Sequence, residues 1–308
     1  MLGVCCQWLE EKTKPRGKVE LVNAMDERTL QLGRYKDRKY DPEFIKSTYL
    51  NNVNNLFKMI PKIASHGLRV FRISSALFPL ADQVDRSLWD NDEVKSTLKQ
   101  TGDFIKSIGM RVSTHPGQFC VISSDSDKVI ENSIRELEIH GWLFDQMGLE
   151  RNPFYAINIH GGKANRMMKL IEQIKILPDS VRNRLTLEND EMSYSVNDLI
   201  EISAQTGVPI VWDSHHHTFN DGNLSMEDAM NVTRQTWNGI KPLQHISNTE
   251  PHLVDGSFID RRKHSEMIHY VPPVQLNALR DDIIDIEVEA KLKNISVFKM
   301  AKDFCIPL

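Results

Sequence analysis

Short runs rich in β-branched residues alternate along the chain with longer stretches whose apolar residues recur every three to four positions. The strand-type runs are MLGVCC (1–6), GLRVFRIS (67–74), MRVSTH (110–115), FYAINIH (154–160), RLTLEND (184–190), PIVWDSH (209–215), PLQHISN (242–248) and DIIDIEVEA (282–290). Helical periodicity covers 42–65, 125–147, 165–178, 196–206, 225–237 and 290–303, with Asn197 and Ser225 as expected N-caps. Eight strands, mostly separated by helices, predict parallel βα units closing into a (β/α)8 TIM barrel, one domain over residues 1–308. A doubly wound sheet alternates in the same way but places a Gly-rich turn after its first strand, and none follows MLGVCC. The stretches 7–40 and 248–275 carry no period and read as long loops.

Composition sets the outer bounds. With 308 residues, 40% hydrophobic and 26% charged, the chain is of ordinary globular type, which excludes collagen-like and low-complexity readings. No apolar run approaches the roughly 18 residues a membrane helix needs. The start MLGVCCQWLEEK has no basic region leading into an apolar stretch, so no signal peptide is expected. Four cysteines, Cys5 and Cys6 adjacent and Cys120 and Cys305 isolated, form no CxxC pair and argue against a disulfide framework and for a reducing, cytoplasmic setting. The net charge of −4 gives no global sign of nucleic acid, but residues 11–39 hold nine Lys/Arg against five Asp/Glu. That stretch is a local basic patch in an acidic chain.

The strand ends carry the chemistry. MRVSTH ends in His115, INIH in His160, LTLE in Glu188, IVWD in Asp213 with His216 three residues on, LQH in His245 and EVE in Glu289. A barrel collects its strand C-termini on one face, so six ionisable ends from six strands should converge there. A lone histidine at such a place is usually a hydrogen-bonded structural residue. Six together would cost several kcal/mol each to bury unless paired or bound to metal. Mixed imidazole and carboxylate donors without Cys suit Zn²⁺, Mn²⁺ or Fe²⁺. More than five donors imply two or three ions, an arrangement that above all serves phosphate ester hydrolysis. Among the remaining histidines, His66 is expected to cap a helix and His140 to be structural.

At these residues the chain resembles the UV damage endonucleases, a TIM-barrel family related to the endonuclease IV-type apurinic endonucleases. The resemblance rests on FRISSALFPLA (71–81), THPGQF (114–119), IHGG (159–162), LEND (187–190), WDSHHH (212–217), QHIS (244–247), HSE (264–266) and EVEAK (287–291), all in the family's order. It implies nicking of DNA 5′ of pyrimidine dimers, abasic sites or other modified nucleotides, with a cluster of up to three metal ions, often manganese. It assigns metal ligation to His115, His160, Glu188, Asp213, His216, His245, His264 and Glu289, with Glu188 bridging. It matches Gln118 and Phe119 to the pair that enters the duplex opposite a lesion. Arg72, Ser74 and Ser75, near the second barrel strand's end, are candidates for phosphate contact, equally readable as a helix cap and structural hydrogen bonding.

The chain departs from the family at three places. Phe119 stands where Tyr is usual. Leu243, with Lys241 two residues earlier, stands where Lys is common. Val4 and Trp8 stand near the first strand end in place of Tyr and Asn. The expected partner is damaged double-stranded DNA, bound by a monomer at the nucleoid, with no membrane. Two rival readings are a sugar isomerase or epimerase of the xylose-isomerase-like superfamily and a metal-dependent DNA-binding protein without catalysis. A polyol enzyme has no use for a Gln-aromatic wedge, and pure binding has no need of so many ligands.

Overall fold

A computed structural model of the protein describes residues 1–15 and 17–308; Arg16 of the basic stretch lies outside the described residues. Eight parallel strands close into a barrel: β1 (Leu2–Cys5), β4 (Val70–Ile73), β5 (Arg111–Thr114), β6 (Ile157–His160), β7 (Leu185–Glu188), β8 (Ile210–Asp213), β9 (Leu243–Ile246) and β10 (Asp285–Val288). Each barrel strand is followed by a helix of eight or more residues: α1 (Pro42–Ser65), α2 (Asp92–Ser107), α3 (Asp127–Gln146), α4 (Met167–Ile176), α5 (Val196–Thr206), α6 (Met226–Gln235), α7 (Pro273–Arg280) and α8 (Lys293–Asp303). The barrel architecture expected from the alternating pattern is therefore observed. No described helix is long and apolar enough to cross a membrane.

Outside the barrel, the outward strand residues pack on the apolar stripes of the helices in one continuous core. Inside, successive inward residues form layers because side chains alternate along a strand. Low in the barrel, Arg111 and Asp285 form a fully buried ion pair at 2.9 Å, and Arg111 stacks over Phe154 and Trp237. Val70, Ala156, Val211, Leu243 and Trp237 form a small apolar cluster beside them. Above lies a polar layer with Arg72, Ser113, Asn158, Thr186 and Glu287, and above that the mouth. The register aligns the mouth residues: His160 stands opposite Glu188 and Asp213 opposite His245.

Several local readings need correction. Ser195, not Asn197, caps α5: its hydroxyl accepts from Asp198 N while the Asp198 carboxylate accepts from Ser195 N at 2.8 Å, a reciprocal capping box. Ser225 caps α6 as expected. The stretch 7–40 is not all loop, for β2 (Leu9–Thr13) and β3 (Val19–Asn23) form an antiparallel hairpin. It follows β1 and packs against the outer helices, where Trp8 meets His66 and Phe298 and Glu10 pairs with Lys62 near the C-terminal end of α1. Asn294 of α8 ties it down, accepting from Leu9 N at 2.7 Å and donating to Leu9 O at 3.0 Å.

Candidate active site

The site grows from the C-terminal ends of six strands, with His115 and Glu289 one residue beyond β5 and β10. Glu188 ends β7 and is 1% exposed. Thr186, two residues below it, donates to Asn158 Oδ1 at 2.8 Å, and Asn158 donates to Glu188 Oε2 at 2.5 Å. This chain fixes one face of the carboxylate. Imidazoles occupy the other approaches: His115 Nε2 lies 3.1 Å from Oε2, His245 Nδ1 3.1 Å from Oε2 and His216 Nδ1 3.2 Å from Oε1. His115 is oriented by its other nitrogen, Nδ1, which donates to Pro116 O at 3.0 Å.

Asp213 ends β8 and caps the one-turn helix Ser214–His217. Its Oδ1 accepts from His215 N and His216 N, leaving Oδ2 buried without a partner. Asn189 bonds the backbone of Asp213 in both directions, at 3.0 and 2.9 Å, and so locks β7 to β8 beside the site. Asp190 accepts from the backbone N–H groups of Met192, Ser193 and Tyr194, which shapes the loop after β7. The paired glycines after His160 have a steric reason. A Cβ on Gly161 would run into the Tyr194 ring, and Gly162 sits at φ +82°, where L-residues are strained.

Three groups of potential donors share Glu188: His115 with His160, Asp213 with His216, and His245 with Glu289, the donor atoms of each group lying within 4.8 Å of one another. The eighth sequence candidate, His264, stands at the rim with its Nε2 3.6 Å from Glu289 Oε2. Phe119 is 81% exposed and Gln118 is also exposed, so Phe119 is no core aromatic. Their loop is nevertheless anchored to α3, for Gly117 N donates to Glu136 Oε1 and Val121 N to Ser133 Oγ, both at 2.8 Å. Ser75 is exposed, whereas Ser74 is nearly buried and caps the turn Ser75–Leu77. Arg72 turns inward to Glu287 and Glu289 and presents no guanidinium to the surface.

The electrostatics favour cations. Burial opposes ionisation of Glu188, yet the His245 and His160 imidazoles, with hydrogen bonds from His115 and His216, hold its carboxyl well below the usual range. Burial alone would lower His245, but Glu188 and its neighbours push it up to about 10. Carboxylates that draw protons onto buried imidazoles will draw metal cations equally, in competition with those protons. Asp213 Oδ2, His160 Nδ1 and both ring nitrogens of His245 have no aligned hydrogen-bond partner despite burial. Buried polar groups seldom go unmatched, so orphaned donors of one hard or borderline chemistry fit divalent ions. His140 Nδ1 is also buried without a partner, but His140 belongs to none of the three donor groups, and burial within α3 pushes it down to about 4.

The profile of the family described as UV-endonuclease UvdE matches residues 17–306. The chain belongs to this family. It is 37% identical over 262 residues to the UV DNA damage endonuclease of Nostoc sp., covering 82% of this chain and 77% of that protein. It is 34% identical over 280 residues to the UV DNA damage endonuclease of Deinococcus radiodurans, covering 88% of each. Among solved structures it superposes on SacUVDE with a TM-score of 0.80 at 28% identity, over 99% of both chains. Endonuclease IV from Thermus thermophilus shares the fold, with a TM-score of 0.58 at 12% identity over 81% of this chain and 93% of that one.

The departures from the family pattern fall into place. Lys241 lies at the far end of the barrel, 2.9 Å from Asp285, and so cannot substitute for a lysine at position 243. Leu243 is buried in the inner apolar cluster. Trp8 packs against His66 and Phe298 at the outer edge, and Val4 lies in the outer core. Sequence reasoning missed the layer below the mouth, namely Asn158, Thr186 and Glu287. A signal for it existed: each stands two residues before a strand-end candidate and therefore points the same way.

Proposed function

We propose that this protein nicks duplex DNA 5′ of UV photoproducts, abasic sites and other modified nucleotides by hydrolysing one phosphodiester, leaving 3′-OH and 5′-phosphate ends. The observation that carries this reading is Glu188 shared by three groups of imidazole and carboxylate donors at the barrel mouth. Two or three divalent ions, manganese first and zinc or iron as alternatives, would be held by His115, His160, Glu188, Asp213, His216, His245 and Glu289, with His264 joining at the rim. When bound, such ions would supply Lewis acidity for generating hydroxide and for stabilising charge on the phosphate being hydrolysed. The chain's own contribution is placement. Thr186 and Asn158 orient Glu188, His115 is aimed by the Pro116 carbonyl, and the backbone N–H groups of the turn after β8 leave one oxygen of Asp213 free.

On this reading Gln118 and Phe119 fill the space left by displaced bases. The α3 anchors hold the wedge ready, so little ordering is lost on binding. The protein would act as a monomer in the cytoplasm, at the nucleoid, without a membrane. A polyol epimerase would need a closed pocket and would have no use for an aromatic ring standing free at its mouth. The deciding assay incubates labelled duplex bearing one abasic site or one pyrimidine dimer with Mn²⁺ or with chelator. A single metal-dependent nick 5′ of the lesion, extendable by a polymerase, is expected. Intact DNA in the presence of Mn²⁺, Zn²⁺ and Fe²⁺ would overturn the proposal, and ketose epimerisation by the same sample would favour the rival.

A further prediction concerns the hairpin. Lys12, Lys14 and Lys18 are exposed on it, with Lys14 paired to Glu20. If these cations neutralise DNA phosphates, each releases condensed counterions. Changing Lys12, Lys14 and Lys18, together with Arg16, to Gln should flatten the plot of log affinity against log salt by about 0.9 per lost contact. Fluorescence anisotropy across a salt series reads this, and an unchanged slope would show the hairpin to be only solvated.

A further inference from the structure

Glu287 lies in the layer below the mouth, two residues before Glu289 on the same inward side of β10. It is 1% exposed. Three side chains meet its carboxylate. Arg72 Nε donates to Oε2 at 2.8 Å, Ser113 donates to Oε1, and His245 Nε2 lies 3.1 Å from Oε2 in an off-axis contact. The same Arg72 reaches up with its Nη2 to Glu289. The register makes this compact, since Glu287 stands directly opposite His245 and Arg72 opposite Ser113.

His245 is therefore held between carboxylates on both edges. Its Nε2 faces Glu287, and its Nδ1 faces Glu188 at 3.1 Å and Glu289 at 3.4 Å. A neutral imidazole offers one N–H and one lone pair. With a cation at Nδ1, the one remaining proton would sit on Nε2 beside the Glu287 carboxylate, itself fixed by Arg72 and Ser113, and the Nδ1 lone pair would face the mouth. A carboxylate behind a histidine raises its basicity as a ligand and fixes its ring orientation. Arg72 adds a second constraint. By bridging Glu287 and Glu289 it compensates two adjacent buried carboxylates and aims Glu289 at the same place.

We propose that Glu287, clamped by Arg72 and Ser113, is a positioning residue for His245 and tunes the cation affinity of the group formed by Glu188, His245 and Glu289. The inference rests on the proposed metal centre. Its consequence is selective: the groups built on His115 with His160 and on Asp213 with His216 have their own orienting contacts and do not touch Glu287.

The test uses the full chain free of DNA and titrates Mn²⁺, counting bound and free ion by electron paramagnetic resonance. Glu287→Gln keeps the shape and removes the charge. One class of Mn²⁺ site should weaken by tenfold to a hundredfold, the range for loss of such a supporting carboxylate, with the remaining sites unchanged. Unchanged affinity at every site, or a parallel loss at all of them, would overturn the proposal. A second measurement does not depend on the folding of Glu287→Gln. Ring ¹⁵N spectra of the wild-type chain with diamagnetic Zn²⁺, with His245 assigned by its loss in His245→Gln, should show the proton on Nε2 and the metal shift on Nδ1. The opposite pattern overturns the clamp. If the wild-type chain binds neither Mn²⁺ nor Zn²⁺, the proposed metal centre itself fails, an outcome distinct from a centre that binds normally and ignores Glu287.

Discussion

Replacing Glu188 by Gln is expected to reduce nicking of a lesion-bearing duplex to the level of a chelated control while the protein stays folded. The carboxylate is the one group common to all three donor clusters, so losing its charge weakens every one of them. Gln keeps nearly the same shape. Its carbonyl oxygen can still accept from Asn158, whose own position is set by Thr186 rather than by Glu188. The scaffold beneath, with its apolar cluster and buried Arg111–Asp285 pair, is untouched. Three readouts should therefore separate: activity at background, bound Mn²⁺ much reduced at a concentration that saturates the wild type, and a far-ultraviolet spectrum and cooperative melting transition retained. Near-wild-type nicking by Glu188→Gln would show that the shared carboxylate is a structural acceptor and that the centre is organised around another residue.

The strand ends were readable because two periodicities coincide there. A barrel strand buries both its faces, so a His or carboxylate terminating an apolar run is conspicuous, and parallel strands gather their ends on one face. What lay between those ends was less readable. The hairpin residues LEEKT are half-buried or exposed, so no apolar alternation betrays the strand. Helix α2 buries Val94, Leu98, Thr101, Gly102 and Ile105, a stripe in which Thr and Gly dilute the helical period. Gly102 is there because its backbone packs against the carbonyl of Met147, where a Cβ would clash. The capping box at Ser195 was obscured by Val196 and Asn197, since Asn197 is an equally good cap by residue type. The polar layer holding Glu287 and Arg72 went unread for a different reason. A charged residue inside a strand buried on both faces needs an opposite charge beside it, and here that partner comes from a strand more than 200 residues away.

Lesion sensing and chemistry should come apart in Phe119→Ala. Phe119 follows His115 by four residues, so a candidate ligand and the wedge share one loop. The ring is 81% exposed and its loop is held by backbone bonds to Glu136 and Ser133, neither of which involves the aromatic side chain. Removing the ring should leave the melting temperature and bound metal unchanged. Stacking of a base on an aromatic ring is worth ~1–3 kcal/mol, so affinity for a distorted duplex should fall roughly tenfold to a hundredfold. Flexible single-stranded substrates need no prying apart, and their cleavage should fall much less. The hydroxyl that the family's usual Tyr would carry is missing here, and stacking needs only the ring face; Phe119→Tyr should therefore retain the affinity that Phe119→Ala loses. Equal losses by Phe119→Ala on single-stranded and lesion-bearing duplex DNA would instead assign the ring to support of the His115 loop. In that case bound Mn²⁺ should fall with it, because the same loop delivers His115 to Glu188.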